Sequence, residues 1–327
     1  MKKYILASVY SLILSFIAGL IVIPLLKKIK AGQPVLKYVE THKDKNGTPT
    51  MGGLFFILSS VLVFFVIGGM SGRIATVSVS IGVAFMAVGF IDDFIKIRFH
   101  RNEGLKAYQK IIFQTAIAVL AGVFSYRNGI TCFNLPFGSL MLNLGVWTIP
   151  IVAIIFIAIT NCVNLTDGLD GLAGGVSSVY LIMLAFLISM QWRVKFGTET
   201  LGEEYDKLVL LSCCIFGGLL AFLVFNTSKA RVFMGDTGSL SLGGFLGAIS
   251  IFSSNSFFIP ILGIMFVTSG ISVIVQVVHY KRTKKRVFLM APLHHHFQLK
   301  GYTEAQITFC YSLITALAGI ATVIPLL

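Results

Sequence analysis

The feature that most constrains this chain is a succession of apolar runs too long for a water-soluble fold. Ten segments, roughly 4–26, 53–70, 74–92, 110–126, 146–163, 174–191, 207–225, 238–254, 256–279 and 305–326, consist mainly of aliphatic, aromatic and small residues. None alternates apolar and polar residues with a period of two, so the runs predict helices rather than barrel strands. A helix needs about 20 mostly apolar residues to cross the hydrocarbon core. Only helices and closed barrels satisfy their backbone polar groups there. Composition agrees: 56% of the 327 residues are hydrophobic and 12% are charged, whereas a soluble domain carries about 25% charged residues. The expected fold is an all-α polytopic membrane protein with about ten transmembrane helices. No Ser-, Pro- or charge-rich linker interrupts it, so residues 1–327 read as one domain.

The net charge is +13, from 26 basic and 13 acidic residues. On a soluble protein such a balance suggests nucleic acid. On a membrane protein it follows first from the enrichment of Lys and Arg in cytoplasmic loops, so no nucleic-acid partner is expected. Loops after odd-numbered spans hold nineteen basic residues, among them Lys27, Lys96, Lys110, Lys229 and Lys281, and the opposite side holds seven. That bias places the odd loops in the cytoplasm and both termini outside. Met1-Lys2-Lys3 and the following run resemble a signal peptide. The run is too long, however, and it ends in Lys27-Lys28 without a small-residue cleavage site. It reads as a retained first span. Residues 130–144 read as a short external β-hairpin around Pro136-Phe137-Gly138. Residues 280–293 pass from basic to apolar and read as an amphipathic segment at the cytoplasmic interface. The five cysteines have neither zinc-site nor disulfide spacing and carry no assigned chemistry.

The few acidic residues carry the functional signal. Asp92-Asp93 end the third run, Asp167 and Asp170 follow the fifth, and Asp236 follows the seventh. All five fall at the membrane edge on the predicted cytoplasmic side. Solvated helix ends would explain any one of them. Adjacent like charges, however, demand a counter-ion, which Lys96 could supply structurally or Mg²⁺ chemically. An ionisable group at the bilayer edge is costly unless paired, hydrated or bound to a cation. Five acids from three loops with one address therefore read as one site.

Four further segments suit anionic ligands. Residues 161–175, with Asn161, Asn164, Asp167, Gly168, Leu169 and Asp170, read as a polar, Gly-rich ligand loop longer than a turn requires. Residues 233–240, beginning at Phe233, place Gly and hydroxyl residues at a helix start, which suits phosphate. Residues 42–53, with Lys45 and Thr50, combine a cation, hydroxyls and glycines; a plain basic loop is the bland alternative. His294-His295-His296 cannot all ligate one metal from a regular helix. One or two of them read as phosphate or substrate contacts, with a structural cap as the alternative.

With these motifs assembled, GTPTMGG (47–53), DDFIK (92–96), NCVNLTDGLDGLAGG (161–175), VFMGDTGSL (232–240) and PLHHHF (292–297), the chain resembles the polyprenyl-phosphate N-acetylhexosamine-1-phosphate transferase superfamily. GTPTMGG and the triple His point to its phospho-N-acetylmuramoyl-pentapeptide transferase branch. The resemblance implies Mg²⁺-dependent transfer of phospho-N-acetylmuramoyl-pentapeptide from its UDP carrier to undecaprenyl phosphate, giving lipid I and UMP. It also implies a bacterial inner-membrane enzyme with a cytoplasmic active site, embedded in membrane lipid as a homodimer. Under it, Asp236 is the metal ligand and Asp92 orients or deprotonates the lipid phosphate, supported by Asp93. Asn164, Asp167, Gly168, Leu169, Asp170 and Phe233 form the nucleoside pocket, with Lys45 and Asn226 nearby. His294 and His295 lie on the phosphate side, His295 catalytically, and Thr50, Asn161 and His296 join the substrate-binding set. Two positions depart from the branch: Lys229 stands where Pro is usual, and Gln298 where Glu is usual. A transferase using UDP-N-acetylglucosamine is the nearest alternative, and a transporter a remote one.

Overall fold

A computed structural model describes residues 2–29, 47–69, 72–99, 103–136, 140–197, 201–227 and 229–326. The helices, in chain order, are α1 (Lys2–Lys28), α2 (Gly53–Gly68), α3 (Arg73–Arg98) and α4 (Ala107–Arg127). The strands β1 (Cys132–Asn134) and β2 (Met141–Asn143) precede α5 (Thr148–Thr166), α6 (Leu172–Phe196), α7 (Glu203–Asn226) and α8 (Gly235–Phe252). Then come the short α9 (Ile259–Leu262), α10 (Ile264–Thr283), the short α11 (Leu293–Leu299) and α12 (Glu304–Val323). A helix occupies each of the ten apolar runs, and the protein is a multi-pass membrane protein. Among the described residues, eight helices are long and apolar enough to cross a membrane. The other two runs give α2, 16 residues long, and α8.

Sequence position alone explains α8 poorly. It is rich in Gly and Ser, yet every residue from Thr237 to Phe252 is buried. It is the central post of the bundle, with α3 and α5 packed along it. Small residues let helices approach where the lipid offers no hydrophobic drive to associate. Inside the bundle its hydroxyls find partners: Ser241 Oγ donates to Gly82 O at 2.9 Å, and Ser250 pairs with Tyr180 OH at 2.8 Å. The outer helices instead turn apolar side chains outward, such as Ile274, Leu120 and Phe309 on α10, α4 and α12. On a membrane protein that is the lipid-facing surface.

The strands of the expected hairpin pair antiparallel, Cys132 opposite Asn143 and Asn134 opposite Met141. The tip at Phe137 and Gly138 lies outside the described residues. Three expectations change. The third run does not end at Asp92, because α3 continues to Arg98 and Asp92, Asp93 and Lys96 share one unbroken helix. The fifteen-residue ligand loop also shrinks. Asn161 and Asn164 belong to the last turns of α5, and only residues 167–171 link it to α6, whose N-cap Gly171 takes φ 75°. The polar residues there do not break the helix, since their side chains find partners across the bundle. Finally, the ninth run is interrupted at Gly263, between α9 and α10.

The basic-to-apolar segment expected over residues 280–293 begins as the last turn of α10, and residues 284–292 form an irregular strap leading to α11. Gln276 Oε1 accepts the N–H groups of Val287 and Phe288 at 3.1 and 2.9 Å. Lys281 to Arg286 and the side chains of Val287 and Leu289 are exposed.

Candidate active site

The site forms at one end of the bundle, where α3 ends and α4, α8 and α12 begin. Residues 49–53 run beside residues 233–234 through three backbone bonds: Phe233 N to Pro49 O at 2.8 Å, Gly52 N to Phe233 O at 2.8 Å and Gly53 N to Met234 O at 3.1 Å. That pairing delivers Gly235-Asp236 onto the end of α3. The approach is close enough to exclude any side chain at Gly89, where a Cβ would collide with the Asp236 carbonyl. Gly53 and Gly238 likewise meet backbone to backbone.

The result is a three-carboxylate cluster. Asp92, Asp93 and Asp236 each bring an oxygen within 4.8 Å of the others. Asp93 is fully buried, and its Oδ2 accepts from Thr237 N at 2.9 Å and Thr237 Oγ1 at 2.7 Å. Its Oδ1 has no hydrogen-bond partner. Asp92 Oδ1 accepts the Leu105 N–H at 2.8 Å, and its Oδ2 lies 2.6 Å from Lys96 Nζ. Asp236 is the most accessible of the three, its side chain 16% exposed against 4% and 0% for Asp92 and Asp93. Its Oδ1 accepts Asn164 Nδ2 at 2.7 Å, while Oδ2 meets Lys96 Nζ at 3.1 Å and Lys110 Nζ at 2.6 Å. Three carboxyl groups therefore face two ammonium groups.

Around this centre the expected residues separate by role. Thr50 Oγ1 is buried without a hydrogen-bond partner. It flanks Gly235 together with Asp93 Oδ2, so it joins the cluster. Asn164 bridges Asp236 and Ser239, the latter at 2.8 Å. Asn161, one turn earlier, donates to Gln114 Oε1 at 2.6 Å. Asp167 is half-buried but densely surrounded; burial pushes its carboxyl well up, and the charges of Asp236, Asp93 and Asp170 add to the rise. Gly168 is the meeting point with α11, since a Cβ there would press on Nε2 of both His294 and His295. Those rings lie 4.4 Å apart. His294 is completely buried with neither ring nitrogen hydrogen-bonded. Burial, with the neighbouring His295 charge, lowers its pKa to about 3.

Other expected ligand residues are occupied as staples. Asp170 Oδ2 accepts the Ala230 N–H at 3.0 Å. Asn226 uses both ends of its amide, accepting from Gly171 N and donating to Val232 O, each at 2.9 Å. Leu169 is part of the apolar core. Phe233 is half-buried within the strand-like pairing described above. His296 turns away from the other two rings, its Nδ1 accepting Leu289 N at 3.1 Å, and so ties down the strap. Lys45 lies outside the described residues. Lys229 adopts φ 70°, a conformation closed to the proline usual at that position.

Four contributors escaped the reading of the sequence. Lys110 counted only as a loop charge, and Gln114 looked like an ordinary helix residue. Their spacing of four on α4 was the available signal, because it places both on one helix face. Thr237 and Glu304 were hidden because their roles depend on contacts 144 and 134 residues away.

The chain is thus an integral-membrane helical bundle that gathers three carboxylates and two lysine ammonium groups at one end. The comparisons narrow this. Residues 74–254 match glycosyl transferase family 4, and residues 45–57 match signature 1 of phospho-N-acetylmuramoyl-pentapeptide-transferase. The chain is 39% identical to the phospho-N-acetylmuramoyl-pentapeptide-transferase of Desulfitobacterium hafniense over 99% of its own length and 97% of that protein. It is 40% identical to the Clostridioides difficile protein of that name, covering 94% of this chain and 93% of the relative. For the Thermoanaerobacter sp. protein of that name the identity is 36%, with 97% of each covered. The chain belongs to the phospho-N-acetylmuramoyl-pentapeptide-transferase family, within glycosyl transferase family 4.

Proposed function

We propose that this protein transfers phospho-N-acetylmuramoyl-pentapeptide from UDP to undecaprenyl phosphate, producing lipid I and UMP at the cytoplasmic face of a bacterial inner membrane. A phosphate oxygen of undecaprenyl phosphate attacks the sugar-bearing phosphorus of the pyrophosphate. The bond from that phosphorus to the UMP oxygen breaks, and no water is consumed. The observation that carries the reading is the convergence of Asp92, Asp93 and Asp236 with Lys96 and Lys110 at one end of a membrane bundle. The side holding that end carries nineteen of the 26 basic residues by the sequence count, which supports a cytoplasmic orientation.

Phosphoryl transfer needs alignment and charge neutralisation more than covalent help. Lys96 and Lys110 supply two ammonium groups for the reacting phosphates. Asp92, fixed by Leu105 N–H, orients the acceptor phosphate and can hold its proton. That phosphate's second pKa is near 6, so positioning contributes more than proton removal. Asp93 sets the geometry through Thr237. Asp93 Oδ1, which accepts no hydrogen bond and has Lys96 Nζ 3.7 Å away, and the all-oxygen donor set fit a hard divalent cation. Mg²⁺ held by Asp236 beside Asp93 would supply charge neutralisation to the phosphate oxygens. His294 and His295 turn Nε2 toward Gly168, and in this reading they serve the pyrophosphate.

The test is UMP release by the purified protein given Mg²⁺, undecaprenyl phosphate and either UDP-N-acetylmuramoyl-pentapeptide or UDP-N-acetylglucosamine. Release with the first donor alone is expected. Release with the second alone would replace the proposed donor, and release with neither would remove the reading.

A further inference from the structure

Glu304, the first residue of α12, holds both walls of the site with one carboxylate. Oε2 accepts the Asp170 N–H at 3.0 Å, and Oε1 lies 3.4 Å from Gln298 Nε2. One turn along, Thr308 Oγ1 donates to the Asp170 carbonyl at 3.3 Å. The start of α12 thus grips the 167–171 loop by both backbone groups of Asp170. The Gln298 amide then has a defined polarity. With its NH₂ toward the carboxylate, Oε1 faces His295 Nδ1 at 3.1 Å. A carboxamide oxygen only accepts, so His295 Nδ1 carries the proton. Nε2 is the nitrogen turned toward Gly168, and in the neutral ring it has no proton to give.

We propose that Gln298 and Glu304 are positioning residues: they hold His295 as its Nδ1–H tautomer, so that Nε2 donates to a pyrophosphate oxygen only when the ring is protonated, and they clamp the facing loop in the same frame. This rests on the proposed reaction, in which the pyrophosphate passes His295. Among the described residues, the charged and titratable groups near the ring include His294 beside it, Asp167 and Asp170 on the facing loop, Glu304 behind Gln298, and Tyr311 of α12 behind His294. Gln298 is the neutral spacer that keeps the Glu304 charge one side chain away from Nδ1.

Exchanging the two residues, Gln298→Glu with Glu304→Gln, tests this without dismantling the network. The amide at 304 can still accept from Asp170 N–H and donate to the carboxylate at 298. The negative charge, however, now sits on His295 Nδ1. A carboxylate at that distance favours the imidazolium, raising its pKa by about one unit or more. The limb of kcat/KM that falls as His295 loses its proton should move to higher pH by that amount, with thermal stability unchanged. Histidine ¹⁵N spectra of the parent protein give a second readout that needs no substitution, and a neutral His295 ring protonated on Nδ1 is expected. A swapped variant with an unmoved pH profile, or a neutral ring protonated on Nε2, would overturn the proposal. Failure of the parent to release UMP from any UDP-sugar would instead sink the proposed reaction, and the nitrogen spectra would still decide the tautomer.

Discussion

Replacing Gly89 with Ala tests the link between helix packing and chemistry. Gly89 lies on α3 one turn before Asp92 and Asp93. An added Cβ would meet the Asp236 carbonyl oxygen and carbon, with Thr237 N at 2.6 Å. All three are backbone atoms, so no rotamer change relieves the clash. The α3–α8 gap must open by about 1 Å to restore ordinary contact distances. The bonds from Thr237 to Asp93, now 2.9 and 2.7 Å, would then stretch past hydrogen-bonding range. Overpacking of this kind costs about 1–3 kcal/mol in stability, and a misplacement of about 1 Å at reacting groups costs about 10²-fold in rate. The assay is kcat for UMP release beside thermal unfolding in detergent. Gly175→Ala is the control, because its Cβ would face only side-chain atoms, the rotatable Ser312 hydroxyl at 3.1 Å and the Thr308 methyl at an ordinary contact distance of 3.5 Å. The control should keep near-parental values. A Gly89→Ala protein with kcat within about twofold of the parent would refute the claim that this close approach sets the carboxylate geometry.

Asp236→Asn should lower turnover by about 10³-fold or more and abolish the Mg²⁺ dependence of any residual rate, while size-exclusion chromatography still shows a folded protein. In the parent, chelation with EDTA should stop UMP release and added Mg²⁺ restore it. Asp167→Asn should reduce activity yet raise the melting temperature of the substrate-free protein above pH 5. Burial raises the folded-state pKa of this carboxyl, so ionisation favours the unfolded chain and stability falls as pH rises past the ordinary carboxylate value; an unchanged or lower melting temperature would contradict that. His294 has the opposite linkage. Its folded pKa is lowered to about 3, so below pH 6.5 the unfolded chain binds a proton that the folded one excludes. Stability should be full above pH 6.5 and about 1.4 kcal/mol lower by pH 5.5 from this group alone, and His294→Gln should flatten that slope in denaturation curves.

The sequence by itself determined the solvent of the fold and the existence of the site. Its apolar runs are long enough to span a bilayer, a property of composition and length that needs no partner. Asp92, Asp93, Asp167 and Asp236 stood out because a carboxylate beside such a run is costly without a counter-charge. Tertiary structure decided which residues meet at the carboxylate cluster and which bind elsewhere in the fold. Asp170 and Asn226 are consumed as loop staples, His296 faces the strap, and Lys110 and Glu304 enter the site from helices whose local sequence looks ordinary. Hydrophobic pattern and propensity act over one helical turn and are visible in order along the chain. Hydrogen-bond partners a hundred residues apart depend on how helices cross, and here that crossing is set by backbone contacts at Gly53, Gly89 and Gly238.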